Sequence, residues 1–366
     1  MSATELPPFT TSFTPRVPEL LSHLRCSLML STYQAGKVVC ISPMGESNLV
    51  SLARSFDKPM GIASNVQKMA IACKDHLIVL ENSPALAKNY PKKRNVYDSM
   101  YVPRITFHTG IVDIHDIAFG KQGIWAINTS FSCLCLINGH YNFIPKWKPA
   151  FITELEGEDR CHLNGLVVEE GVPRFVTALG SGNEPESWRE NITTGGVLID
   201  LKTDQIAIDS LPMPHSPTLY KGRLYALLSA AGQLVQLVPE DGRYEVITSL
   251  NGFCRGLAIY GDHAFVGMSK LREGSSTFDK LDFPDGPNEA GIMVVHLPSK
   301  TVVGKIKFET SVEEIYELKL LPDTLRPNLL NTMNPIHNYS LAIPEKTFWA
   351  DENHEVFKGT QTIKTA

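Results

Sequence analysis

Along nearly the whole chain, short apolar runs rich in Val, Ile, Leu, Phe and Tyr alternate with clusters of Gly, Pro, Asn and Asp. Runs of this length bounded by turn residues predict β-strands. Helical periodicity is nearly absent, and the best candidate is the short PELLSHL segment at 18–24. The pattern is therefore that of an all-β protein.

The runs repeat. MGIASNVQKMAIACKDHLIVLEN starts at Met60, HDIAFGKQGIWAINTSFSCLCLIN at His115 and NGLVVEEGVPRFVTALG at Asn164. SPTLYKGRLYALLSAAGQLVQLV follows from Ser216 and RGLAIYGDHAFVGMSK from Arg255. Each reads strand, tight turn, strand, loop, strand, usually with a fourth strand after it. The units begin roughly 40–60 residues apart, a period that predicts a β-propeller with four-stranded blades. A sixth unit, EEIYELKLLPD from Glu313, supplies one strand only, and three unassigned strands (CSLMLS, KVVCISP, NLVSLAR) precede the first full unit. The N-terminal strands would complete the last blade and leave no open sheet edge. Six blades are predicted, with a pair of β-sandwiches or a five- or seven-bladed ring as alternatives. The expected organisation is an N-terminal arm with a short helix (1–24), one propeller (25–327), and a tail (328–366) that packs on its side or is partly flexible.

Composition narrows the function. The chain has 366 residues and a formal net charge of -5 with both signs mixed, so no nucleic-acid footprint is expected. KKR at 92–94 reads as a solvated loop. No secretory leader and no membrane-length apolar run is visible. Seven cysteines without a CxxC pair suggest reduced thiols and a cytoplasmic location. Cys133 and Cys135 share one strand face and read as core. The patterns of dinucleotide folds, P-loops, nucleophile elbows, HExxH metalloproteases and calcium loops are all absent.

In a propeller the first strand of each blade lines the central channel, so the turns leading into it gather on one face. These turns read DKPMG, DIHDI, CHLNG, MPHSP, GFCRG and VEEIY. His115, His162, His215, Arg255 and Glu313 or Glu314 should therefore converge in one funnel, with Asp113, Asp116 and Asn164 near. Three histidines and a carboxylate suit a divalent first-row metal such as Zn, Mn, Fe or Co. The expected ligands are His115, His162, His215 and Glu314, although a one-residue slip would change which side chains face inward. A metal-free polar site and purely structural histidines remain as alternatives. Long connections at 180–196 and 270–291 fall between second and third strands, on the same face, and would bring Trp188, Arg189 and Arg272 to a substrate. STYQAG at 31–36 is the matching connection of the closing blade, placing Tyr33 and Gln34 there. Arg160 would face a ligand or pair with Asp159.

Several of these motifs, including STYQAGK, EDRCHLNGL, RFVTALG, MPHSPTLYKGRLY, GFCRGLAI and FVGMSKLRE, resemble a family of bacterial conserved hypothetical proteins. The resemblance spans about residues 31–327. It implies a β-propeller and marks the stretches that contain His115, His162, His215 and Arg255, without implying a substrate.

The expected function is a metal-dependent lyase, isomerase or hydrolase acting on a small polar or anionic molecule, by analogy with histidine-lined propellers such as uronate lyases and with six-bladed lactonases. In that scheme Arg255 binds the anionic group, and Glu314, Asp116 or Tyr33 serves the chemistry. A non-catalytic propeller that binds a ligand or protein partner is the alternative. An iron- or copper-dependent oxidoreductase is the second alternative. Neither nucleic acid nor membrane is an expected partner, and oligomeric state is left open.

Overall fold

The computed structural model describes residues 6–271, 280–281, 283 and 288–358. Six antiparallel blades surround one axis, as the repeat predicts. Blade 1 runs from Ile62–Ser64 to Ser99–His108, blade 2 from Ile114–Gly120 to Ile144–Trp147, and blade 3 from Leu163–Glu169 to Gln205–Leu211. Blade 4 spans Pro214–Tyr220 to Arg243–Ser249, and blade 5 Phe253–Tyr260 to Thr301–Phe308. Blade 6 takes its inner strand, Glu317–Pro322, from the C-terminal side and its other three, Cys26–Thr32, Lys37–Met44 and Asn48–Ser55, from the N-terminal side. Closure therefore rests on the antiparallel pairing of Cys26–Thr32 with Glu317–Pro322.

Two short strands extend the ring. Thr11–Phe13 pairs antiparallel with the outer strand of blade 5, and Pro327–Leu329 runs parallel to the outer strand of blade 1. The second of these straddles the predicted limit at residue 327. The helix Val17–His23 buries Val17 and Leu21 in the core shared by blades 5 and 6. The chain after residue 329 folds into a hairpin, Ser340–Ile343 with Lys346–Trp349, and buries Trp349 against Tyr90 and Leu86 beside blade 1. Among the described residues no helix is long and apolar enough to cross a membrane.

The core lies between blades. Successive residues of a strand point to opposite sheet faces, and both faces are buried here. Ile124 and Ala126 face blade 1, whereas Trp125 and Ile127 face blade 3. This is why the strands read as continuous apolar runs rather than as alternating ones. Cys133 and Cys135 both join the core between blades 1 and 2. All seven cysteines are buried and free, and burial pushes the Cys26, Cys40, Cys73, Cys161 and Cys254 thiols up to about 12. They are packing residues rather than reactive thiols.

Near the axis the inner strands approach until side-chain volume has to vanish. A Cβ on Gly61 would stand 2.9 Å from Asp116 Cα, one on Gly165 2.3 Å from Pro217 Cδ, and one on Gly256 2.9 Å from the Leu318 nitrogen. A residue of blade 1, 3 or 5 thus makes room for one of blade 2, 4 or 6. Gly256 also has φ +83°, which disfavours any L side chain. Gly45 has φ +71° but open space around it. Gly45→Ala should therefore cost only backbone strain, about 1 kcal/mol. Gly256→Ala should cost roughly 2 kcal/mol more, because backbone has to move. Urea denaturation of both variants checks this, and equal losses would contradict the close approach at the axis.

Candidate functional site

Each blade is reached through a turn that holds a non-glycine residue in the left-handed region, Lys58, Asp113, His162, Met213, Asn251 and Ser311, with Asp159 a second one before blade 3. Side chains disfavour that conformation, so its recurrence shows that the turns are built alike. In blades 2, 3 and 4 the carbonyl of this residue accepts the N–H that follows the second strand, from Thr129, Leu179 and Ser229.

This pattern corrects the predicted equivalence of the histidines. His115 and His215 stand two residues after the left-handed position, whereas His162 occupies that position itself. The counterpart of His115 in blade 3 is Asn164, which accepts from the Thr177 hydroxyl at 2.8 Å and does not line the funnel. The three imidazoles still meet, because the His162 ring reaches across to His115, with ring centroids 4.7 Å apart.

The funnel has a volume of about 250 Å³, and its walls include Tyr33, His115, His162, Trp188, His215, Arg255 and Glu314. Asp113, Lys270, Phe253 and Tyr316 complete the polar and aromatic lining. Trp188 stacks on His162 at 4.2 Å and donates through Nε1 to Asp159, and Lys280 bonds the carbonyls of Arg189 and Glu190, so the two long connections meet above the site.

Other predicted residues lie elsewhere. Asp116 is buried in the blade packing, where it accepts from the backbone of Ile117 and of Leu166 in blade 3. Burial raises its carboxyl well above the usual range, with Lys319 opposing and Glu317 adding to the shift. Arg160 turns to Glu158 and Asn183, and Gln34 is exposed outside the funnel. Arg189 lies over the outer face of Trp188 and pairs with Glu186. Arg272 lies outside the described residues.

The tautomers follow from the hydrogen bonds. His115 Nδ1 is 3.2 Å from the Asp113 carbonyl oxygen, and His162 Nδ1 is 2.8 Å from Asp159 Oδ2. Both partners only accept when the carboxylate is ionised, so each Nδ1 carries the proton. His215 Nδ1 is 3.1 Å from the Met213 carbonyl and 2.9 Å from Ser229 Oγ, whose own hydrogen goes to the Cys254 carbonyl at 2.5 Å. It too is a donor. A neutral ring with its proton on Nδ1 keeps an Nε2 lone pair, and none of the three Nε2 atoms hydrogen-bonds to a described residue. Burial holds His115 down to about 3 and His215 well below its ordinary value, so both are neutral.

Arg255 is the complementary group. Its guanidinium lies 3.5 Å from the centre of the Tyr316 ring and forms no ion pair with a described carboxylate. The buried Tyr316 hydroxyl meets no well-aligned hydrogen-bond partner among the described residues. Sequence reasoning missed Tyr316 as a site residue, although it ends the VEEIY turn. The metal expectation meets a geometric restriction: among the described residues, no three His, Cys, Asp or Glu side chains are placed to share one ion as they stand.

A family model described as "Domain of unknown function (DUF4915)" matches residues 15–330, and the chain belongs to that family. No curated protein matches it. Among solved structures it is similar to a chain of the nidogen/laminin complex, at 9% identity and a TM-score of 0.49, over 81% of this chain and 99% of that one. It is also similar to apo AztD from Citrobacter koseri, at 12% identity and a TM-score of 0.38, over 80% and 86%. Likenesses at these scores carry no argument about activity.

The neutral histidines give a pH prediction. Below an ordinary imidazole pKa of 6.5, the unfolded chain takes up a proton that folded His115 refuses until about 3. Stability from this group is thus present above 6.5 and is lost as pH falls through that window. Asp116 acts in the opposite sense, because the folded state binds its proton first, so the effect is read as a difference from a variant. Between about pH 6.5 and 5, the parent should lose roughly 2 kcal/mol relative to His115→Asn. Urea titrations at the two pH values measure it, and a constant difference would mean that His115 titrates normally.

Proposed function

We propose that this member of the DUF4915 family holds a small carboxylate-bearing molecule in its funnel and uses the imidazole Nε2 atoms as bases toward it. The observation that carries this reading is a guanidinium with no carboxylate partner among the described residues, facing a pocket with three imidazoles whose Nδ1 atoms are anchored on protein oxygens. A planar guanidinium without a protein carboxylate has donors directed at an oxyanion. A neutral ring with its Nδ1–H anchored on a carbonyl or carboxylate is oriented to accept a proton at Nε2. Trp188, Phe253 and Tyr316 supply apolar surface for the body of the ligand. Proton abstraction beside a carboxylate belongs to lyase or isomerase chemistry, and activation of water to hydrolysis.

A second reading uses the same lone pairs. Ligating histidines commonly anchor the other ring nitrogen on a carboxylate or carbonyl, as these three do. His115, His162 and His215, with Glu314, would then hold a divalent first-row metal such as Zn, Mn, Fe or Co once the groups close up from their present spacing. The metal would act as a Lewis acid or lower the pKa of a bound water.

The two readings separate experimentally. Metal-stripped parent and Arg255→Gln are screened against a panel of small carboxylates by calorimetry. The first reading expects saturable binding without metal, weakened about tenfold or more in Arg255→Gln. Near-stoichiometric metal in tag-free protein, lost in the His115→Ala/His162→Ala/His215→Ala variant and required for binding, would select the second. No binding with or without added metal would overturn both.

A further inference from the structure

A second polar cavity lies at the outer rim and shares no lining residue with the funnel. It has a volume of about 100 Å³ and is built from the outer strand of blade 6, the 83–98 connection of blade 1 and the chain just after residue 328. Its charged lining residues are Arg54, Lys92 and Lys93, with no aspartate or glutamate among them.

Arg54 is held in a specific way. Nε donates to the Leu329 carbonyl at 2.9 Å, a terminal nitrogen to the Ala53 carbonyl at 3.1 Å, and the other to Asn328 Oδ1 at 2.7 Å. All three acceptors are neutral, so the charge is oriented but not compensated. Guanidinium has five N–H donors. Three are used, which leaves one on each terminal nitrogen. Asn328 is fully buried, and while its oxygen accepts from Arg54 its own Nδ2 has no partner among the described residues. A buried amide left half-satisfied is costly, which marks the placement of Arg54 as specific.

The lysines point the same way. In the KKR run only Arg94 is neutralised, by Glu352; Lys92 and Lys93 form no ion pair with described residues. The nearest acid in sequence, Asp98, is committed to the backbone nitrogens of Leu325 and Arg326. Tyr90 and Tyr97 form an edge-to-face wall, with ring centroids 5.9 Å apart. Three cations around a small concavity, one of them a fork with two spare donors, match a tetrahedral oxyanion.

We propose that this rim cavity binds the phosphate group of a small molecule, independently of the funnel. The test uses the full chain carrying Arg255→Gln, so that binding at the funnel is weakened in both proteins compared. Inorganic phosphate and phenyl phosphate are titrated by calorimetry at low ionic strength. Saturable binding is expected. It should weaken about tenfold or more in Lys92→Gln/Lys93→Gln, and an unchanged melting temperature verifies the folding of that variant. Tighter phenyl phosphate would identify a phosphomonoester as the source of the group, and tighter inorganic phosphate the free ion. Absence of saturable binding, or binding indifferent to the lysine substitutions, would overturn the proposal.

Discussion

Buried hydroxyls that bond across the junctions between blades are the contact on which the site depends. Ser31 donates to the Met60 carbonyl at 2.6 Å and Thr129 to Leu163 at 2.6 Å, while Ser229 donates to Cys254 at 2.5 Å and Ser269 to Ile315 at 3.2 Å. Each runs from the end of a blade's second strand to the approach of the next blade's inner strand. Net, one such bond contributes on the order of 1 kcal/mol, but a buried carbonyl left without it costs more. The apolar cores between blades supply the bulk of the stability, since they remove much more surface from water. They are non-directional, however, and directed bonds are what set the register at which blades meet. The backbone adds to this: Leu166 donates to Asp116 across one junction, and Gly256 to Ser216 across another.

The funnel inherits its order from these stitches. Ser229 links the blade junction to the chemistry, because the hydroxyl that donates to Cys254 also fixes the proton of His215 on Nδ1. Thr129 holds the blade 3 approach at Leu163, next to His162, and left-handed residues lie at or two before each of the three histidines. The acidic and basic groups are also sorted. Asp116 and Glu317 are drawn into the blade packing near Lys319, which keeps its charge although burial opposes it. Arg255 remains in the funnel over Tyr316 with no such partner among described carboxylates. The contrast with Arg54 at the rim is instructive. One guanidinium is positioned by an aromatic face, the other by three neutral oxygens, and both keep donors for an anion.

Much of this was legible in the chain. Strand runs bounded by turn residues, repeated with a common order, specified the blades, and three strands lacking an inner partner at one end required the closure seen in Cys26–Thr32 against Glu317–Pro322. Placing the approach turns and the connections between second and third strands on one face brought eight of the expected residues to the funnel, Asp113 included. Asp116 and Asn164 were misplaced for one reason. Adjacent strand residues face opposite ways, and the inner strands pair irregularly with the second strands, between Ile114 and Ile117 opposite Ala126/Asn128 in blade 2 and at Leu163/Gly165 in blade 3. Sequence spacing does not reveal such a shift, so it cannot say which of two neighbours faces the axis.

The sequence by itself determined the architecture, since blade count, closure and the meeting of distant turns follow from a local pattern of apolar runs and breaks. It also determined which residue types would gather at the axis. Only the tertiary structure decided what those residues are chemically. The Nδ1 protons of the three histidines depend on carbonyls, a carboxylate and a hydroxyl that the fold brings to them. The neutrality of His115 and His215 depends on burial, and the lack of a carboxylate partner for Arg255 and Arg54 among the described residues depends on where the fold places the acids. These are properties of neighbours, and in a ring of blades most neighbours are distant in the chain.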